Sequence, residues 1–383
     1  MQGLSQTLRV LKLFYTPLEF FRDDIISSNL RFPLLEEFHF NFFTIFRTTD
    51  YEDISQKCIA PFINSHSQTL KKLSVANRGV SQQPEYYYEP RRLFEHLTHL
   101  PGLAHLSVRL FLLLSDEASL DQLGRFIHAH SGSLSLLELH LYHSNIRPPI
   151  TMGIGGDPQH ELGLADFAPT YSSQTLFAHH IFGQALSSCR GLKTLQCMFL
   201  SEEALQSDAA PFLLWFPTIK CADTLTNLFL LYNTLKQDDI IALISSVDLP
   251  GLRRLRVKVL AFNMTLFDAL SSKLTGLQEL TVWAFSLTCT LAAGIQVGWT
   301  PVCRLPEYSP FLRELRTRSY AHWESLRDFF IPMIDGGHQQ HVTQLGCDME
   351  ASIWQSWISE EQVRVAFPQI RRFDGGIRPF EML

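Results

Sequence analysis

Histidine and cysteine are the side chains best suited to metal or nucleophilic chemistry, and this 383-residue chain carries fifteen of the first and seven of the second. The histidines come in close pairs, His128/His130, His140/His143 and His179/His180, with His338 near His341. A structural zinc site needs four ligands at short spacings, and none of these pairs is joined by a carboxylate or cysteine at such a spacing. They read as surface or helix-end histidines, and no metal is expected. The cysteines lie at 58, 189, 197, 221, 289, 303 and 347 with no C-x-x-C pair, an odd and scattered set that reads as reduced thiols. Gly153, Gly155 and Gly156 begin a glycine-rich stretch, but Pro158 stands where a dinucleotide-binding turn needs its third glycine. The chain has no G-x-S-x-G, no H-E-x-x-H and no P-loop. No catalytic residue and no cofactor are expected, and the chain does not read as an enzyme.

A different chemistry is suggested by the arginines. Residues 251–320 hold nine lysines and arginines against four acids, a local +5 in a chain whose net charge is -6. A guanidinium donates two parallel hydrogen bonds to a carboxylate or phosphate, so arginines gathered on a rigid surface suit an acidic or phosphorylated segment. The candidates are Arg254, Arg256 and Lys258, then Trp283 beside Glu279 and Thr281, then Arg316 and Arg318 beside Glu314. A solvated face balanced by Glu279 and Glu314 is the alternative. An apolar set, Met198, Phe229, Leu231 and Tyr232, marks a partner surface or the footing of a loop.

These residues share a surface only if strands set them side by side. The stretch LTNLFLLYNTL at 225–235 fits L-x-x-L-x-L-x-x-N-x-L, the consensus of a leucine-rich repeat, at every specified position. Alternate side chains of a strand point to opposite faces, so Leu228 and Leu230 turn the same way and Phe229 the other. Further copies of L-x-x-L-x-apolar begin at Leu8, Leu35, Leu70, Leu103, Leu134, Leu192, Leu225, Leu252, Leu277 and Leu312, and at Val342 and Ile370. The intervals run from 25 to 35 residues apart from one of 58, the period of a strand followed by a helix. Two turn types precede the leucines. SQTL, SGSL and ADTL offer small hydroxyl side chains to the local backbone, and FPLL, LPGL, SPFL and FPQI use proline to end the helix.

The predicted fold is therefore α/β: one leucine-rich-repeat solenoid over residues 1–383, a curved horseshoe of about twelve irregular repeats. Parallel strands are expected on the concave face and helices on the convex face. Helices are predicted around Ile54 and Phe62, Leu93 and Leu97, residues 116–130, 238–247 and 264–274, from Trp323 to a stop at Pro332, and behind a capping box of Ser359 and Gln362. Loop insertions are predicted at 145–173 and 294–309. The first repeat begins at Leu8, so an N-terminal cap or further module is expected upstream.

A mean hydropathy of +0.03 and 29 phenylalanines fit a folded chain in which phenylalanine replaces leucine in degenerate repeats. The acidic balance argues against nucleic-acid binding, and no apolar run reaches membrane-spanning length. The expected location is the cytoplasm, the nucleus or both.

With its SQTL-x-x-L-x-L and LPGL-x-x-L-x-V units, irregular lengths and long inserted loops, the chain resembles the leucine-rich regions of fungal F-box proteins. That resemblance implies recognition of a protein substrate by the concave face, and a cullin-RING ubiquitin ligase adaptor as a second partner through an upstream F-box. The F-box pattern itself, opening L-P-x-E, is not found in the chain. Two other readings stand beside it. One is a leucine-rich scaffold unrelated to ubiquitin. The other is a regulator similar to the Ran GTPase-activating proteins, whose repeats carry the asparagine that only Asn233 supplies here.

Overall fold

In the computed structural model, the described residues are 6–17, 31–43, 54–78, 90–113, 117–144, 180–201, 210–288, 296–297, 314–327 and 364–374. The chain divides into two compact units, Met1–Thr224 and Leu225–Leu383.

The first unit is built on six strands: β1 (Val10–Pro17), β2 (Glu37–Phe43), β3 (Lys72–Arg78), β4 (His105–Leu113), β5 (Leu136–Ser144) and β6 (Thr194–Ser201). Each pairs in parallel with the next in sequence order. Helices α1 (Ala60–Ser65, entered through a π-helical turn at Ser55–Ile59), α2 (Pro90–His96), α3 (Glu117–Ala129), α4 (His180–Ser188) and α5 (Ala210–Trp215) lie between strands in the chain. The second unit has β7 (Asn227–Leu235), β8 (Arg254–Phe262), β9 (Glu279–Thr288), β10 (Gln296–Val297), β11 (Ser325–Arg327) and β12 (Arg372–Asp374), with α6 (Gln237–Ser246) and α7 (Met264–Lys273). There β7, β8, β9, β11 and β12 are parallel in that order, and β10 folds back antiparallel on the end of β9. Each unit is a stretch of α/β leucine-rich-repeat solenoid.

The repeat phase is visible in the backbone. The carbonyl at the second position of each repeat accepts two consecutive N–H groups from the next: Arg9 O from Glu36 and Glu37, Glu36 O from Lys71 and Lys72, Lys71 O from Ala104 and His105, Ala104 O from Ser135 and Leu136. In the second unit Thr226 O, Arg253 O, Gln278 O and Glu324 O do the same. First- and fourth-position side chains are sealed in: Leu35, Phe38, Leu70, Leu73, Leu225 and Leu228 are each 0% exposed. They face the helices, as the Phe38 and Phe62 rings of β2 and α1 show at 5.2 Å. The hydroxyl turns work as expected, since Thr69, Ser133 and Thr224 each donate to the carbonyl three residues back. Neighbouring proline and glycine turns nest closely enough that a Cβ on Gly276 would lie 3.2 Å from the carbonyl of Pro250.

The tenth rung is not where the leucines put it. Gln278 O receives Glu324 N and Ser325 N, which makes Trp323 the first position and Leu326 the fourth. Trp323 and Leu326 are both 0% exposed, and Ser325–Arg327 is a strand where a helix was expected. The predicted repeat at Leu312 instead contains a short helical turn at Glu314 and Leu315. Apolar residues spaced three apart serve a helix as well as a repeat, and periodicity alone does not choose between them. Other elements escaped the sequence reading, namely α4, α5 and β10, the last inside the expected 294–309 loop. Val342, Pro332, Ser359, Gln362 and the 145–173 insertion lie outside the described residues.

Candidate interaction surface

Because side chains alternate along each strand, the third, fifth and seventh repeat positions form rows on the face that the helices leave uncovered. In the second unit the register sets Asn227, Arg254, Glu279, Ser325 and Arg372 in one row. Phe229, Arg256, Thr281 and Arg327 follow in the next row, and Lys258 is opposite Trp283 in the next. Arg254 is exposed, and its Nε lies 3.1 Å from the Glu279 carboxylate. The Arg256 guanidinium carbon sits 4.5 Å from the centre of the Phe229 ring, a cation–π stack that holds the guanidinium flat against the sheet. Lys258 is only 7% exposed, so it belongs to the packed part of this face rather than to its rim. Trp283 and Leu231 lie in β9 and β7, and their side chains are outside the described residues, as are those of Met198 and Tyr232.

Arg316 and Arg318 do not join this cluster, because the tenth rung carries Ser325 and Arg327 in their place. Arg316 is exposed in the turn after Leu315. Arg318 is tied toward the helix layer, its Nη2 lying 3.4 Å from Asp268 of α7 and 3.7 Å from Glu314. Asp268 also accepts a hydrogen bond of 2.9 Å from Tyr320, whose ring stacks on Trp323 and Phe367. Burial and the Asp268 charge push the Tyr320 phenol well above its ordinary range, so it stays neutral and donating.

The first unit carries a second polar face. Its first row runs Glu37, Lys72, His105; its second His39, Ser74, Ser107, Glu138, Gln196; its third Phe14, Asn41, Ala76, Arg109, His140. Glu37 is engaged by His39 at 3.3 Å and by Lys72 at 3.9 Å. The His39 hydrogen bond first, and the lysine charge after burial's opposing effect, hold the Glu37 carboxyl below its usual range. Glu138 lies 3.9 Å from His105 Nε2. Burial, helped by Lys72, pushes His105 down to about 4, and burial with the charge of Arg109 does the same to His140. His140 shares a 2.7 Å hydrogen bond with Gln196 Nε2. At neutral pH these histidines are therefore uncharged. The signal that finds them is the alignment of third-, fifth- and seventh-position residues across successive repeats, rather than spacing within one.

The histidines read as helix-end residues include one that is a built-in clasp. His130, 1% exposed, contacts the Phe126 carbonyl through Nδ1 at 2.7 Å and accepts the Leu100 backbone N–H on Nε2 at 2.9 Å. His66 repeats the arrangement, with Nδ1 2.7 Å from the Phe62 carbonyl and Phe32 N–H donating to Nε2 at 3.4 Å. Both stand in the pattern F-I-x-x-H-S-x-[ST]-L, at 62–70 and 126–134. Among the described residues no three metal-ligating side chains cluster. Cys58, Cys189, Cys197 and Cys221 are buried free thiols, and burial pushes Cys189 up to about 12 and Cys221 to about 11, the opposite of an activated nucleophile. No described helix is long and apolar enough to cross a membrane.

Comparison with known proteins places few constraints on the chain. No family model matches it, and no curated protein matches it. Among solved structures it is similar to one described as a crystal structure of the Rad7 and Elc1 complex in yeast, at 14% identity and a TM-score of 0.32, over 70% of this chain and 68% of that one.

Proposed function

We propose that this chain is a protein-binding module without catalytic activity of its own, and that the strand face of the second unit takes an acidic segment of a protein partner. The observation that carries this reading is the Arg256 guanidinium laid on the Phe229 ring at 4.5 Å, beside the exposed Arg254, on a face that no described helix covers. A guanidinium held flat by an aromatic ring has already given up much of its rotamer freedom. It therefore loses less on pairing with a carboxylate or phosphate than a loose lysine does. The likeness of the repeats to the leucine-rich regions of fungal F-box proteins adds a finer reading: the partner is a substrate destined for ubiquitination, the ligase adaptor is reached through an F-box upstream, and the protein works in the cytoplasm or nucleus.

Affinity capture of the full-length protein tests both levels. The wild type is expected to recover a cullin-ligase adaptor together with substrate proteins, and an R254Q/R256Q variant to keep the adaptor and lose substrates. Recovery of substrates with no adaptor refutes the ubiquitin reading and leaves a scaffold. An unchanged substrate set in the double variant refutes the arginine site.

A further inference from the structure

We propose that the first unit carries a separate docking surface on β1 to β4 for an extended protein segment with an acidic residue about four residues from an apolar one. The third row of this face, Phe14, Asn41, Ala76 and Arg109, supplies three complementary features in line. At one end Phe14 is 58% exposed, and Val10 of the same strand, beside Glu37, is 39% exposed, so the β1 edge offers an apolar footing. At the other end Arg109 is exposed. No carboxylate among the described residues lies within ion-pair distance of it. Between them Ala76 is small and leaves the path low, and the Asn41 Oδ1 is a shielded acceptor with no donor among the described residues.

Charge decides the sign of the ligand. Both carboxylates of this face are already engaged by cations or imidazoles of the face itself, Glu37 by Lys72 and His39, Glu138 by His105. That leaves Arg109 as the cation of this face without a carboxylate partner among the described residues, and at the β1 edge the exposed Lys12 adds positive charge that also acts on Glu37. A basic segment would meet no open carboxylate here. An acidic one meets a guanidinium able to bind it in a bidentate way.

Spacing decides the register of the ligand. Neighbouring strands lie about 4.8 Å apart, so the three steps from β1 to β4 span about 14 Å, the reach of about four residues of extended chain at roughly 3.3 Å each. A segment crossing the strands therefore sets an apolar side chain on Phe14 and a carboxylate on Arg109 together, with a donor passing Asn41 on the way. Arg254 and Arg256 belong to the other unit and take no part.

The test is selection of an unbiased library of displayed linear peptides on the full chain, followed by affinity measurement of the enriched peptides as free synthetic peptides. The expected result is enrichment of Asp or Glu about four positions from an aromatic or aliphatic residue. An R109Q variant with an unchanged melting temperature should bind these peptides about tenfold or more weakly, as loss of one charge-assisted contact requires. F14S should weaken them as well, whereas R254Q/R256Q should bind as wild type does. The inference is overturned if no peptide is enriched, if the enriched peptides lack acidic residues, or if R109Q binds as tightly as wild type. Peptides lost only in R254Q/R256Q would overturn it too, while supporting the second-unit site.

Discussion

Replacing His130 with alanine removes two buried contacts at once, and the cost can be worked out from its surroundings. The Leu100 N–H loses its acceptor at 2.9 Å and the Phe126 carbonyl loses its 2.7 Å partner, in a site where His130 is 1% and Leu100 0% exposed. A buried group left unsatisfied costs about 1–3 kcal/mol. The imidazole also packs on the Phe126 ring at 4.3 Å and the His99 ring at 4.9 Å, and its removal leaves a void. Together these effects should destabilise the first unit by roughly 3–5 kcal/mol. The direct assay is hydrogen exchange at the Leu100 amide, whose protection should fall by about a hundredfold or more, because each tenfold corresponds to about 1.4 kcal/mol.

The same clasp carries a pH signature. Burial lowers the His130 pKa below its ordinary value near 6.5, since the folded site has no room for a second proton on the nitrogen that accepts Leu100 N–H. The unfolded chain then binds more protons than the folded one once the pH drops below about 6.5. The contribution of the clasp is thus complete above that pH and is lost as the pH falls from 6.5 toward the depressed folded value. In the alanine variant this part of the acid sensitivity should disappear. A variant that melts with the wild type, or that keeps Leu100 protected, would refute the clasp. His128→Ala, two residues away and exposed, is the control and should change stability by less than about 0.5 kcal/mol.

Leu228 is 0% exposed at the fourth position of the seventh repeat, and Leu228→Ala should cost about 2–5 kcal/mol through the cavity it leaves; an unchanged unfolding midpoint would contradict the repeat phase. Trp323→Ala should cost about 3–5 kcal/mol, and a cost within about 0.5 kcal/mol would contradict Trp323 as the first position of the tenth repeat. A double-mutant cycle between Arg256 and Phe229 should give a coupling of about 0.5–1 kcal/mol, and a coupling of zero would dissolve the stack proposed to preorganise the second-unit site.

Much of the architecture is legible in the order of residues. The leucines assigned to first positions at Leu35, Leu70, Leu103, Leu134, Leu192, Leu225, Leu252 and Leu277 are each followed by a strand that opens two residues later. The helices at 117–129, 237–246 and 264–273 fall within a residue or two of the expected spans. Repeats are readable because each obeys a local rule. Apolar residues at fixed spacing must all turn to one side, and no distant contact is needed to say which ones do.

The candidate surfaces are legible only by halves. Arg254, Arg256 and Phe229 could be placed on one face from alternation alone, since they lie in clean repeats. Arg316 and Arg318 could not, because L-x-x-L at Leu312 and Leu315 serves a helical turn as well as a strand entry. The choice fell to Trp323, whose burial and whose neighbours' bonds to Gln278 O start the rung eleven residues later. The first-unit surface was hidden for a related reason. His39, Arg109 and His140 come from repeats far apart in the chain, and nothing in any one of them announces its neighbours.

Sequence by itself determined the repeat, its period, the apolar side of each strand and the turns between, since these follow from side-chain alternation and local backbone preferences. Tertiary structure decided the register across strands, and with it which cations stand beside which carboxylates, which rings lie under which guanidinium and which imidazoles are stripped of water. Charge compensation and desolvation depend on distances between residues that the chain order does not encode, so the interaction surfaces emerge only when the rungs are stacked.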